Sequence, residues 1–228
     1  MDLTSKKSNE TLEKFRYELK IPLEQSQFIE FKQYLRQLGL HPVSPYPGRR
    51  INSVYFDSHD LNDYVDNVSG IAERQKTRIR WYNEDLSHLT LEFKRKKNKA
   101  SYKELLKLDN PKQHNPRTRE GVRSIMQTQK SSIENFLLQS LDPVIEVQYD
   151  REYFLLGADL RMTLDTDQNF RKLYPFPGQN MKRSPVYCVA EFKFPAVKLS
   201  IMKTMMRNLP FRVFRHSKYV IGMDVIAP

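Results

Sequence analysis

Four cations recur at every second position of one short segment: Arg74, Lys76, Arg78 and Arg80, within Glu73–Tyr82. In an extended strand residues two apart share a face, so these four line one side while Thr77, Ile79 and Trp81 line the other. Stacked like charges repel, and solvated surface strands ordinarily mix signs. Such a file therefore calls for an anion, and guanidinium and ammonium groups suit phosphate oxygens through charge-assisted hydrogen bonds. The alternation returns in four further segments. Arg16, Glu18 and Lys20 oppose Phe15, Tyr17, Leu19 and Ile21, and Glu92, Lys94 and Lys96 oppose Leu89, Leu91 and Phe93. Arg161, Thr163 and Asp165 oppose Leu160, Met162 and Leu164, while Glu191 and Lys193 oppose Ala190, Phe192 and Phe194. The interspersed glutamates offer oxygens to a hard divalent cation.

The elements that must position these side chains follow from the same periodicity. Strands are predicted over Phe15–Ile21, Arg50–Phe56, Glu73–Tyr82, Leu89–Lys96, Tyr102–Leu108, Val144–Phe154, Leu160–Asp165, Tyr187–Phe194 and Arg212–Tyr219. Amphipathic helices are predicted over Glu24–Leu38, Ser58–Val68, Arg119–Leu138 and Val197–Asn208, and the Pro-rich His41–Gly48 and Tyr174–Pro185 read as loops. Many antiparallel strands with helices between them make an α+β fold. Any one strand fits a sheet with one solvated and one packed face. Five strands sharing the pattern, with a cationic excess on the polar sides, favour a closed antiparallel barrel. Its lumen would be charged and wet, and its apolar exterior covered by the helices.

Composition sets the outer bounds. The 228 residues suffice for a sizeable core, and a single domain over 1–228 with a flexible start at 1–12 is expected. With 38 Lys and Arg against 27 Asp and Glu the net charge is +11, which predicts a polyanionic partner. One cysteine, Cys188, excludes an intramolecular disulfide, and a reducing cytoplasm is expected. No apolar run approaches the ~20 residues of a membrane span. No glycine-rich dinucleotide or P-loop motif is present. Trp81 and Phe93 lie opposite the cations as packing groups rather than as base-stacking platforms, so nucleic acid is not the expected partner.

Eight motifs in order resemble the catalytic domain of the vacuolar transporter chaperone family, the polyphosphate polymerase branch of the triphosphate tunnel metalloenzymes. They are R-Y-E-L-K at Arg16–Lys20, V-Y-F-D-S at Val54–Ser58, R-I-R-W-Y at Arg78–Tyr82, E-F-K at Glu92–Lys94, Y-D-R at Tyr149–Arg151, R-M-T-L-D at Arg161–Asp165, A-E-F-K-F-P at Ala190–Pro195 and H-S-K-Y at His216–Tyr219. The resemblance implies a tunnel of about eight antiparallel strands. It implies basic tunnel ligands at Lys20, Arg78, Arg80, Lys94, Arg151, Arg161 and Lys218. Further phosphate contacts would come from Lys76, Lys103, Tyr149, Lys193, Arg215 and Ser217. Glu191 matches the family's metal-binding glutamate, for Mn²⁺ or Mg²⁺, and Glu18 either joins it or balances Lys20 and Arg78.

The activity so implied is transfer of the ATP γ-phosphate to a growing inorganic polyphosphate chain. A tripolyphosphate or nucleoside triphosphate hydrolase in the same tunnel, and a non-catalytic polyphosphate-binding module, are the alternatives. Two departures stand out. Arg16 replaces the first glutamate of the E-x-E-x-K that hydrolytic and cyclase relatives carry, and a basic position expected before Gly70 falls in Val65–Asn67, leaving Arg74 or Lys76 to supply it. Lys94–Lys99 fits either a basic exit path or a solvated turn. Asp165 reads as a cap or the partner of an arginine, and Glu146 as a paired sheet carboxylate. The chain carries no membrane span of its own, which leaves room for a membrane partner.

Overall fold

The computed structural model describes residues 16–97, 100–129, 140–157, 159–175 and 177–226. Among these, nine strands form one antiparallel sheet: β1 (Arg16–Leu23), β2 (Arg49–Asp57), β3 (Glu73–Tyr82), β4 (Asp85–Lys97), β5 (Ala100–Asp109), β6 (Asp142–Leu155), β7 (Arg161–Lys172), β8 (Lys182–Arg183) and β9 (Cys188–Pro195). Five helices accompany them: α1 (Gln25–Gln37), α2 (Asn62–Ser69), α3 (Arg119–Gln127), α4 (Leu199–Arg207) and α5 (Lys218–Ile226). The fold is α+β, as the periodicity predicts. The hydrogen-bonded order is β1-β9-β7-β6-β2-β3-β4-β5, with β8 beside β7.

Two expectations are corrected. The closed barrel is not formed: β1 and β5 end the strand order, and no pairing joins them among the described residues. Alternation says which face of a strand is wet, whereas closure depends on strand number, tilt and stagger. The predicted strand at Arg212–Tyr219 is also absent. Its residues run irregularly and then enter α5 at Lys218. There, Tyr219, Gly222 and Ile226 are buried at helical spacing. β7 runs seven residues past its predicted end at Asp165, β8 lies within the predicted Tyr174–Pro185 loop, and the other boundaries shift by a few residues. Phe15, the 1–12 segment and most of the Gln129–Leu138 stretch of the third predicted helix lie outside the described residues.

The chain divides into two compact units. One comprises residues up to Arg49 with Asp150–Gln168 and Pro185–His216; the other comprises Arg50–Tyr149, Asn169–Ser184 and the residues from Ser217 onward. In the first unit, the apolar sides of β1, β9 and β7 present Ile21, Leu23, Ala190, Phe192, Phe194, Met162 and Leu164. Phe31 and Leu35 of α1 and Met202 and Met206 of α4 cover them. In the second unit, Val54, Phe56, Ile79, Trp81, Leu89, Leu91, Phe93 and Leu108 form the packed face, closed by Val122, Ile125 and Met126 of α3. Thr118 starts α3 by accepting the Gly121 N–H at 3.0 Å. In each unit amphipathic helices therefore bury the apolar side of the strands and leave the polar side to carry chemistry.

Candidate functional site

Within the second unit, antiparallel register sets the cations of β3, β4 and β5 in rows. Lys76 stands opposite Lys94, which stands opposite Lys103, and Arg74 stands opposite Lys96. Arg78 faces Glu92, and Arg80 faces Thr90, which faces Lys107. This face thus carries Arg74, Lys76, Arg78, Arg80, Lys94, Lys96, Lys103 and Lys107, with the Glu92 carboxylate at its centre and Asp63 and Asp66 beside Arg74 and Lys96. Side chains directly opposite in such a ladder lie about 5 Å apart at Cβ, so a row of three lysines is a repulsive arrangement.

Glu92, read from sequence only as one of the wet-face glutamates open to a divalent cation, is bound instead by basic side chains and organises the centre of this face. It is 4% exposed. Its Oε2 accepts from Arg78 Nε at 2.7 Å and from Arg78 Nη2, and its Oε1 lies 3.4 Å from both Arg80 Nη1 and Lys103 Nζ. Burial alone would push the Glu92 carboxyl up, but Arg78, Arg80 and Lys103 outweigh it and hold the pKa at about 2. Lys103 moves down, chiefly through burial, with Glu92 opposing and Arg78 and Arg80 adding to the shift. Burial works against the Arg78 charge too, yet Tyr55, Glu92 and Tyr149 raise its pKa on balance.

Aromatic groups hold the guanidiniums. Arg78 Nη1 donates to Tyr55 Oη at 2.8 Å, and Arg80 Nη2 to Tyr149 Oη at 3.3 Å. The Lys218 ammonium sits 4.4 Å from the centre of the Tyr149 ring. Lys76 Nζ donates to Ser217 Oγ at 2.8 Å. These contacts thus link Lys76 with Ser217, and both Lys218 and Arg80 with Tyr149. Glu146 is a paired sheet carboxylate, as read from sequence: it accepts from Arg117 Nε at 2.6 Å and Arg171 Nε at 3.0 Å. Lys94 and Lys97 are exposed and Lys96 half-buried, and residues 98–99 of the basic run lie outside the described residues.

A second cluster belongs to the first unit. The register pairs Lys20 with Glu191 and Glu191 with Thr163, then Glu18 with Lys193 and Lys193 with Arg161. Lys20 Nζ lies 2.7 Å from Glu18 Oε1 and 3.7 Å from Glu191 Oε2, and it donates to the His216 carbonyl at 3.0 Å. Lys193 Nζ lies 2.6 Å from Glu191 Oε1. Burial works against the Lys20 charge, but Glu191 and Glu18 outweigh it and raise the pKa. Arg151 grips Asp165 with two hydrogen bonds, Nε to Oδ1 at 2.6 Å and Nη2 to Oδ2 at 2.7 Å. The arginine-partner reading of Asp165 therefore holds. Arg161 and Arg215 are exposed, and neither enters the buried part of this cluster. The Arg16 side chain lies outside the described residues.

The fit of a divalent cation is limited but coherent. Among the described residues no group of three or more His, Cys, Asp or Glu side chains is placed to hold a metal ion. Glu18 and Glu191 both face Lys20, and Asp165 is taken by Arg151. Two carboxylates suit Mg²⁺ or Mn²⁺ where phosphate oxygens complete the shell, the usual pattern for magnesium at phosphoryl sites.

Comparison with known proteins accords with this picture. The family model described as VTC domain matches residues 15–227. The PH1819 protein from Pyrococcus horikoshii OT3 shares the fold with a TM-score of 0.52 at 13% identity, over 92% of this chain and 99% of that one. A candidate adenylate cyclase from Bacillus halodurans has a TM-score of 0.52 at 12% identity, over 88% and 92% of the two chains. Another from Vibrio parahaemolyticus has a TM-score of 0.52 at 13% identity, over 91% and 97%. No curated protein matches the chain.

Proposed function

The chain belongs to the VTC domain family, and from that premise we propose that it is a phosphoryl-transfer enzyme. It moves the γ-phosphate of ATP onto the end of an inorganic polyphosphate chain, releasing ADP and a polymer one phosphate longer. The observation that carries this reading is the in-register row Lys76–Lys94–Lys103, flanked by Arg74, Lys96, Arg78 and Arg80. A condensed phosphate chain is a polyanion whose repeated charges match such a row. The tunnel that the family resemblance implies belongs to this proposal.

Roles follow from the chemistry of phosphoryl transfer, in which positioning and electrostatics do most of the catalysis. Arg78 and Arg80 clamp phosphate oxygens with guanidiniums already oriented by Glu92, Tyr55 and Tyr149. Lys76, Lys94, Lys103, Lys218 and Ser217 hold further phosphate oxygens. Lys20, Arg151, Arg161, Lys193 and Arg215 are assigned to phosphate on the family's motifs, and Glu191 with Glu18 to the metal. Glu191 and Glu18 would hold a divalent cation whose charge would neutralise phosphate and favour departure of the leaving oxygen.

The test is to incubate purified protein with ATP and Mn²⁺ and resolve the products on a gel. Long polyphosphate supports the polymerase, while orthophosphate alone makes the chain a hydrolase. Arg78→Ala and Glu191→Gln are each expected to abolish turnover while the protein stays folded, and full activity in either variant contradicts its assignment.

A further inference from the structure

One buried side chain, Tyr219, lies next to Lys218 in the chain and against Tyr55, the partner of Arg78. Tyr219 is 1% exposed, and its hydroxyl donates to Asp57 Oδ2. Its ring stacks on Tyr55, 5.1 Å between centres and 16° between planes. Tyr55 in turn accepts from Arg78. Lys218, next in the chain, has its ammonium over Tyr149, whose hydroxyl accepts from Arg80.

Asp57 is itself fixed. Its Oδ1 accepts the Ser58 and Asp63 N–H groups at 2.7 and 2.9 Å, and its Oδ2 accepts the Tyr64 N–H at 2.9 Å, so it caps the start of α2. A second phenol–carboxylate bond runs the opposite way, from Tyr64 Oη to Asp224 Oδ1 at 2.5 Å. The start of α5 is therefore tied to α2 through Asp57, and farther along through Asp224.

We propose that Tyr219 is a positioning residue: by binding Asp57 and stacking on Tyr55 it fixes the first turn of α5 and so sets the Lys218 ammonium for a phosphate ligand. The chemistry requires it because ammonium and guanidinium groups discriminate by geometry only when their stems are locked. The hydroxyl is the part that matters. Loss of one hydrogen bond to a charged group leaves the ring in place while freeing the N-terminal turn of α5 to shift.

This inference rests on the phosphate reading of the site, and the experiment separates the two. Tripolyphosphate binding is measured by titration calorimetry at low salt for the native protein, Tyr219→Phe, Lys218→Ala and the double variant, with thermal unfolding of each alongside. Tyr219→Phe is expected to weaken binding about tenfold in the native background and less than about twofold in the Lys218→Ala background. Equal loss in both backgrounds, or no loss in the first, overturns the positioning role, because a merely structural effect does not depend on Lys218. If the native protein binds no tripolyphosphate, the phosphate reading itself fails and the inference falls with it; if Lys218→Ala binds as well as native, the inference alone is overturned.

Discussion

Glu92 shows how one carboxylate makes a crowd of cations tolerable. Its pKa is held near 2, well below the usual carboxylate value, so its share of stability is present above about pH 4.5 and is lost as pH falls through the folded-state value. Urea unfolding is expected to lose on the order of 3 kcal/mol between about pH 5 and pH 2 from this group, and Glu92→Gln to flatten that limb. An unchanged acid limb in the variant contradicts the account. Asp63 has the opposite sign. Burial, with Asp57 and Asp66 nearby, raises its carboxyl to about 7, so the folded state holds a proton that the unfolded chain releases. Its contribution falls as pH rises from about 4 through 7, and Asp63→Asn is expected to gain roughly 2 kcal/mol relative to native at pH 8 but not at pH 4. Denaturant midpoints at the two pH values check this.

At the scale of elements, α5 is where sequence and structure part. Arg212–Tyr219 mixes polar and apolar types, but among the described residues no strand pairs with it; the Phe214 N–H reaches the Lys20 carbonyl at 2.9 Å, and the His216 carbonyl accepts from Lys20 Nζ at 3.0 Å. The available signal was the i, i+3, i+7 spacing of Tyr219, Gly222 and Ile226. Gly222 makes the helix's close approach feasible, since a Cβ there would lie 2.6 Å from Phe170 Cδ1 and 2.7 Å from Ile145 Cδ1. Gly222→Ala is expected to cost about 1–3 kcal/mol by overpacking, read as a lower thermal midpoint. A midpoint equal to native contradicts the packing. The strands were far more legible, because Ile79, Trp81, Leu91 and Phe93 bury while Arg78, Arg80 and Glu92 face the other way, as period two requires. Alternation also brought Glu92 to the cationic face, but only the register revealed that three cations converge on it. The bond from Tyr219 to Asp57 left no such trace, since a phenol of one helix reaching the carboxylate that caps another is a tertiary arrangement.

For the whole molecule, charge and register speak together. A net charge of +11 predicts a polyanion but not its kind, and family motifs narrow it to condensed phosphate. Closure of the sheet was the least legible property, because no local pattern encodes whether two edge strands meet. The most direct test of the central claim, that the cations of β3–β5 hold a phosphate chain, is thermal unfolding with tripolyphosphate against sulfate at equal ionic strength. With ligand near a hundred times its dissociation constant, the midpoint is expected to rise about 5–10 °C over the sulfate control. Lys94→Ala/Lys103→Ala is expected to lose most of that rise. A midpoint that tripolyphosphate moves no further than sulfate does would contradict the account.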